Sequence, residues 1–200
     1  MRYISWMAST IDDWSTRHSV LTTARRTAAL INAVADDHAD PGTVAEVLRA
    51  YGEMDPIDLT PRDVAAMRTA AALLREVFAA DSAADAATTL NRLLREHTGP
   101  LRLTSHGGST PWHPHLDRED NAPWEEWLLA SSCMALTVLV WDRQRPPGRI
   151  CASPGCQNVF IAHGSGPERH YCSRRCATRE RVKAHRRSRS AEQHQGANAT

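Results

Sequence analysis

The sequence lacks the features that define several large classes of protein. Its longest apolar run, from Trp127 to Trp141, has 15 residues, whereas a membrane-spanning helix needs about 20 apolar residues. Residues 1–14 contain no uninterrupted apolar stretch of the kind found in secretory signals. Glycine and proline are scarce, with 10 and 11 residues, which excludes collagen-like and low-complexity chains. We therefore expect a globular protein of the cytoplasm that does not enter membranes.

Lysine is also nearly absent, because Lys183 is the only one, so the basic charge is almost entirely arginine. This charge is divided unevenly along the chain. Residues 1–142 contain 12 basic and 20 acidic side chains, a net charge of −8, whereas residues 143–200 contain 12 and 3, a net charge of +9. An acidic body followed by a basic arm predicts that the arm alone binds a polyanion.

The apolar residues of the body recur at helical spacing. This periodicity predicts helices over residues 22–37, 43–50, 61–80, 83–96 and 123–142. The clearest start signal is Thr60-Pro61, where an N-cap residue precedes proline at the first helical position. Residues 101–106 and 112–116 alternate instead, with glycines between them, which predicts a small β-hairpin. We expect a mainly α fold in which a helical bundle carries this hairpin.

Residues 143–149 are expected to separate two domains, because two prolines and a glycine prevent the preceding helix from continuing. A chain of 200 residues suffices for one core domain and a small appendage. The predicted parts are an N-terminal segment (1–21), a helical domain (22–142), this linker (143–149), a small cysteine-containing module (150–190) and a polar, disordered tail (191–200).

Four of the five cysteines form two close pairs, which is the strongest signal in the chain. Four residues separate Cys151 from Cys156, three separate Cys172 from Cys176, and fifteen lie between the pairs. Each pair supplies two thiolates from one short turn, as a tetrahedral zinc site requires. Four sulfurs complete the coordination shell. The sequence therefore predicts one structural Zn²⁺ ion in a small treble-clef or ribbon-like module that ends in a basic helix.

Other interpretations of these cysteines stay open. His163, His170 and His185 are rival ligands, and His170 in place of Cys172 would give a site of three cysteines and one histidine. Two disulfides or unrelated thiols are a further alternative, although cysteines in a reducing compartment are more often metal ligands or core residues. The fifth cysteine, Cys133, lies within the apolar helix and is expected in the core.

A strongly basic helix is expected around and beyond the last cysteine. Ser173 is a suitable N-cap, and no helix breaker occurs before the tail. Its candidates for contacts with phosphates or bases are Arg174, Arg175, Arg179, Arg181, Lys183, Arg186 and Arg187. Arginine binds phosphate with bidentate geometry, which favours nucleic acid as the partner. The alternatives are a solvated tail and an arm that docks on the acidic body.

These residues resemble the C-terminal zinc finger of the bacterial CGNR family. The shared pattern is Cys151 and Cys156, Val159-Phe160, Tyr171-Cys172-Ser173, and Cys176 followed by Arg179 and a basic run. The body resembles the ABATE domain that usually precedes this finger, through residues 28–33, 87–94 and 111–115. The resemblance covers about residues 22–189 and implies a zinc-binding, DNA-binding protein of a family described as stress-induced transcription regulators.

The finger departs from the family pattern in two places. Cys176-Ala177-Thr178-Arg179 stands where the family has Cys-Gly-Asn-Arg, and residues 162–166 lack the aspartate and the Ser-Arg-Asn-like stretch usual in the loop. The missing polar groups would weaken a contact with a base or phosphate while leaving the cysteine cage unaffected.

The expected function is a zinc-dependent, DNA-binding transcription regulator, with a helical domain that senses a signal or forms a homodimer. The alternative is a zinc-folded interaction module whose basic arm binds an acidic protein or RNA. Enzymatic activity is not expected. Residues 106–109 resemble the oxyanion segment of esterases, but no G-x-S-x-G nucleophile elbow accompanies them.

Three histidines at the predicted hairpin form a possible ligand site. His113 and His115 share one face of a strand, and His106 could approach them across the turn, with Asp117 nearby. Such a cluster would bind a metal or an anionic ligand. The alternative is that these are ordinary surface histidines.

Overall fold

The computed structural model describes residues 19–162 and 169–197, with side chains through Arg189. The helices are α1 (Val20–Ala33), α2 (Pro41–Ala50), α3 (Pro61–Phe78), α4 (Ala83–His97), α5 (Trp124–Arg143) and α6 (Arg174–Ala197). The strands are β1 (Arg102–Thr104), β2 (His113–His115), β3 (Gly148–Ile150) and β4 (Val159–Ile161). The predicted mainly α fold, with a hairpin in the body and a small module that ends in a basic helix, is confirmed.

The first four helices begin at polar capping residues. The side chains of Ser19, Asp40, Thr60 and Ser82 each accept a hydrogen bond from the backbone N–H three residues later. At Thr60 the arrangement is a full capping box, because the Asp63 carboxylate also accepts from the Thr60 backbone N–H. These local hydrogen bonds explain why the first residues of these helices can be predicted from the sequence.

Helix α5 lies at the centre of the body and packs against α1, α3 and α4. Its residues Leu128, Cys133 and Leu136 are fully buried, so the prediction of a buried helix and a core cysteine is confirmed. Trp141, the last residue of the apolar run, is an exception and is 74% exposed. Within the residues that the structure describes, none of the helices combines the length and apolarity needed to cross a bilayer.

Strands β1 and β2 form the predicted antiparallel hairpin, with Leu103 opposite Pro114 and Thr104 opposite His113. A short turn of 3₁₀ helix at His106–Gly108 connects them. Gly107 and Gly108 have φ angles of 68° and 91°, a conformation that side chains disfavour. The turn therefore needs its two glycines.

The second hairpin, β3–β4, opens the C-terminal module and packs on the body. Gly148 lies tightly against both the body and β4, since a Cβ atom there would lie 2.7 Å from the Phe78 ring and 2.2 Å from the backbone oxygen of Phe160. Val159 is paired with Asn32 of α1, and Arg75 donates hydrogen bonds to the backbone and side chain of Gln157. The module is thus fastened to α1 and α3.

Some predicted boundaries differ from those observed. Residues 148 and 149, predicted as the end of a linker, are the first residues of β3, because their backbone pairs with β4. Residues 191–197, predicted as part of a disordered tail, continue α6. The predicted N-terminal segment falls outside the described residues except for residues 19–21, of which Val20 and Leu21 already belong to α1.

Candidate metal centre and basic helix

The first cysteine pair lies in the turn between β3 and β4. Cys151 directly follows β3, and its backbone N–H donates to the carbonyl of Asn158 at 2.8 Å. The N–H of Cys156 donates to the carbonyl of Ser153 at 2.9 Å, which closes a tight turn. Gly155 adopts a φ of 76° inside that turn, a conformation natural for glycine. Both thiols therefore come from one short knuckle.

The second pair lies where α6 begins. Ser173 precedes the helix, and its side-chain oxygen accepts a hydrogen bond from the N–H of Cys176 at 3.2 Å, as an N-cap does. Cys172 stands just before the helix and Cys176 in its first turn. A knuckle and a helix N-terminus thus supply two thiols each, which is the treble-clef form of the treble-clef or ribbon-like module that the sequence predicted.

The four sulfur atoms converge as a zinc site requires. All four Sγ atoms lie within 4.8 Å of one another. The Sγ of Cys172 is 3.7 Å from that of Cys156 and 3.8 Å from that of Cys176. A tetrahedron with Zn–S bonds of about 2.3 Å places its sulfurs about 3.8 Å apart. The cluster is a zinc-binding site, and four thiolates leave no position for a reactive water, so its role is structural.

The thiols of the site differ in how readily they ionise. Hydrogen bonding with Ser173 lowers the pKa of Cys176 to about 7, whereas burial raises the pKa of Cys172 to about 12. Other donors also reach the sulfurs: the backbone nitrogen of Cys172 lies 3.4 Å from the Cys151 Sγ, and a guanidinium nitrogen of Arg179 lies 3.7 Å from the Cys176 Sγ. These donors stabilise the negative charge of the thiolates.

Arg179 is held within the zinc module. Its guanidinium donates to the Ser153 Oγ at 2.6 Å, and that hydroxyl donates to the Glu180 carboxylate at 2.7 Å. Glu180 is buried, and the Ser153 hydrogen bond lowers the pKa of its carboxyl. Arg179 therefore connects the helix with the knuckle, although the sequence predicted it only as a contact to nucleic acid.

The structure selects Cys172 over the rival ligands that it describes. His170 is exposed and uses its backbone carbonyl to accept from the N–H of Ala152. His185 is exposed on α6, away from the cluster, and His163 lies outside the described residues. Cys133 is fully buried in α5, where burial raises the pKa of its thiol to about 12. Among the described residues, the five cysteines form no disulfide.

The basic helix extends into solvent. The seven predicted contact residues, Arg174, Arg175, Arg179, Arg181, Lys183, Arg186 and Arg187, are all exposed. From Arg181 to Arg189 every residue is exposed, including Val182 at 44%. This stretch contains no acidic residue. The predicted alternative in which the arm docks on the acidic body is therefore absent from this structure over residues 181–189.

A basic groove that the sequence did not reveal lies between α1 and the zinc module. It has a volume of about 830 Å³. Its arginines are Arg25 of α1 together with Arg169, Arg175 and Arg179 of the module. Only the packing of the module on α1 brings Arg25 to this surface. No motif around Arg25 could have indicated that it lies there.

The three histidines of the body also come together. The Nε2 atoms of His106 and His113 are 3.3 Å apart, and those of His113 and His115 are 2.9 Å apart. Asp117 lies beside His115, as expected from its place in the sequence. The hairpin therefore forms a second group of possible metal ligands.

Two protein-family models match the chain. The ABATE model, described as "Putative stress-induced transcription regulator", matches residues 13–142, and the CGNR zinc finger model matches residues 148–189. Neither is a family of enzymes. No curated protein matches the sequence. The two matched ranges divide the chain where α5 ends and β3 begins, and the second contains all four clustered cysteines.

Proposed function

Because the chain belongs to the ABATE family and carries a CGNR zinc finger, we propose that it is a transcription regulator that binds DNA through α6. One observation carries this proposal. Residues 181–189 form a helix that is exposed on all sides, strongly basic and free of acidic residues. A helix without a buried face gains no stability from packing on its own protein, and a bound polyanion would offset the repulsion between its basic side chains.

The chemistry of this helix favours a phosphate backbone. Arginine presents a planar set of donors that fits phosphate oxygens in bidentate fashion. Neutralising phosphates releases condensed counterions, which supplies most of the affinity of a basic surface for DNA. The zinc module contributes rigidity, because Cys176 in the first turn of α6 anchors the helix to the knuckle. The arginines of the groove beside α1 extend the same basic surface.

One helix contacts only a few phosphates, so a single copy would bind weakly. We propose that the body forms a homodimer and presents two basic helices to one duplex, since linked sites gain avidity without new contacts. Sedimentation of the protein alone and with duplex DNA tests this point. A monomer in both measurements would contradict it.

The experiment is a mobility-shift titration of duplex DNA at several salt concentrations. The full chain is compared with the double variant Arg186→Ala/Arg187→Ala. Each lost phosphate contact should reduce the slope of log affinity against log salt by about 0.9. The matched control is Arg62→Ala/Arg95→Ala, which removes the same charge from exposed positions on α3 and α4 and should leave the slope unchanged.

The results separate DNA from the alternative partners. A salt-dependent shift that the double variant weakens, with a footprint on one DNA sequence, supports regulation of transcription. Salt-independent binding, or equal effects of the two double variants, contradicts it. Preference for single-stranded RNA would indicate that the arm binds RNA. Co-purification with an acidic protein and no footprint would indicate that it binds that protein.

A further inference from the structure

The three histidines of the hairpin have the spacing of ligands around one metal ion. Nitrogens bonded to one ion at about 2.0–2.1 Å lie about 2.9 Å apart at a right angle and about 3.4 Å apart at the tetrahedral angle. The observed Nε2 separations are 2.9 Å between His113 and His115 and 3.3 Å between His106 and His113. Both distances lie within this range.

The opposite nitrogen of each ring faces an oxygen acceptor. The Nδ1 of His113 lies 2.8 Å from the backbone carbonyl oxygen of Pro111, and that of His115 lies 2.8 Å from the Asp117 carboxylate. The Nδ1 of His106 lies 3.5 Å from the Asp120 carboxylate. Carbonyl oxygens and carboxylates only accept hydrogen bonds, so the Nδ1 atoms of His113 and His115 carry the proton.

In the neutral rings this assignment points the Nε2 lone pairs of His113 and His115 towards each other at 2.9 Å, and such lone pairs repel unless a proton or a metal cation lies between them. A cation between them removes the repulsion. Metal-binding histidines characteristically donate their other N–H to a carboxylate or a backbone carbonyl, which sets the tautomer and the ring orientation. We propose that His106, His113 and His115 bind a second divalent transition-metal ion, separate from the zinc of the finger.

An outer layer holds these rings in place. Asp117 is 3% exposed, and its carboxylate binds both His115 and the Arg102 guanidinium. Arg102 also pairs with Asp120, which accepts a hydrogen bond from Thr104 at 2.8 Å. The two carboxylates beside the histidines are thus fixed through a residue of β1. Such outer contacts make a ligand set rigid before the metal arrives.

The hairpin turn brings His106 to the other two histidines. His113 and His115 lie on one face of β2 with Pro114 on the other, as the two-residue period of a strand dictates. His106 has a φ of 48°, which is uncommon for a residue with a side chain. It is followed by two glycines with positive φ. This turn folds His106 back over β2.

The site leaves room for a small ligand. Three protein ligands leave at least one coordination position open, which is typical of reactive or ligand-binding metal centres. The three histidines line a cavity of about 890 Å³. Its other walls include Trp112, Trp124 and Trp127 together with Met54 and Met134. Those walls suit a flat apolar molecule with one anionic oxygen donor that completes the coordination shell.

Metal counting on the full chain tests the site. The protein is dialysed against excess Zn²⁺, freed of unbound metal and measured by inductively coupled plasma mass spectrometry. The wild-type chain should hold two ions, His113→Ala one, and the control His38→Ala two, because His38 is exposed on the turn after α1. One ion in the wild-type chain would overturn the proposal, whatever the folding of the variants.

Two further measurements examine the arrangement of ligands. Asp117→Asn changes a positioning residue and should lower the affinity for the second ion by about 10–100-fold, measured by competition with a metal indicator. The zinc affinity of the finger should stay unchanged. With Co²⁺ in both sites, acetohydroxamate should change the visible spectrum of the wild-type chain and leave that of His113→Ala unchanged. An unchanged wild-type spectrum would contradict an open position. None of these results depends on DNA binding.

Discussion

Asn32 of α1 makes two hydrogen bonds with the backbone of Val159 in β4. Its Nδ2 donates to the Val159 carbonyl at 2.9 Å, and its Oδ1 accepts from the Val159 N–H at 2.8 Å. The side-chain amide of Asn32 thereby makes the two hydrogen bonds that a neighbouring strand would make with the free edge of β4. The pair satisfies backbone groups of a residue that is 1% exposed, and it links the body directly to the zinc module.

Asn32→Ala should destabilise the zinc module relative to the body. The change leaves the buried N–H and carbonyl of Val159 without partners, and each such group costs about 1–3 kcal/mol. We expect faster proteolysis within the module and earlier zinc release on heating. The exposed Asn91 of α4 provides the control, since Asn91→Ala should change neither property. Equal behaviour of the two variants would show that the Asn32 contacts contribute nothing.

Gly148→Ala should also weaken the attachment of the module. The added methyl group would lie 2.7 Å from the Phe78 ring and 2.2 Å from the backbone oxygen of Phe160, so β3 must move. Overpacking of this kind typically costs about 1–3 kcal/mol. Urea denaturation followed by circular dichroism measures the change. A urea midpoint equal to that of the wild-type chain would mean that β3 accommodates the methyl group without loss of stability.

Removal of zinc should expose four thiols and leave one protected. In the zinc-bound protein we expect slow reaction with a thiol reagent, and after chelation reaction of all four cluster thiols, with Cys172 the slowest of them because burial raises its pKa to about 12. Cys176 should react first near neutral pH, because its pKa is lowered to about 7 and its thiolate is already present. Cys133, fully buried and with a pKa raised to about 12, should react only after denaturation.

Peptide mapping of the labelled protein identifies these sites. Labelling of Cys133 before denaturation would contradict the core assignment. Fewer than four reactive thiols after chelation would contradict the zinc cluster.

Thr60→Ala should lower the free energy of unfolding by about 1 kcal/mol, because it removes the N-cap of α3. Hydrogen bonds from the Thr60 side chain and backbone lower the pKa of Asp63 below its usual value of 3.8. A carboxyl group whose pKa is lowered by folding stabilises the folded state when the pH is above the ordinary pKa of that group. This contribution disappears as the pH falls through the lowered pKa.

The cost of Thr60→Ala should therefore shrink in acid. Urea denaturation at neutral pH and at successively lower pH values measures this difference. The control is Thr69→Ala at an exposed position inside α3, whose small effect, a gain in helix propensity of about 0.5 kcal/mol, should be the same at every pH. A cost for Thr60→Ala that is independent of pH would exclude a contribution of the Asp63 carboxylate.

Local patterns in the sequence predicted most of the fold and all four zinc ligands. Caps such as Thr60 and the apolar spacing of α3 and α5 act within a few residues, so they can be read without a structure. The two cysteine pairs are likewise local, since each comes from one turn. The pairing of His113 with His115 follows from the strand period, whereas the approach of His106 depends on the conformation of the Gly107-Gly108 turn.

The sequence by itself determined that helices, a hairpin and a four-cysteine zinc module would form, because these depend on neighbours along the chain. Only the tertiary structure decided what each module touches. Asn32 meets Val159, Arg25 joins the groove of the finger, and Arg179 turns inward to Ser153. These contacts join residues distant in sequence, and their positions depend on how helices and hairpins pack, which no local spacing encodes.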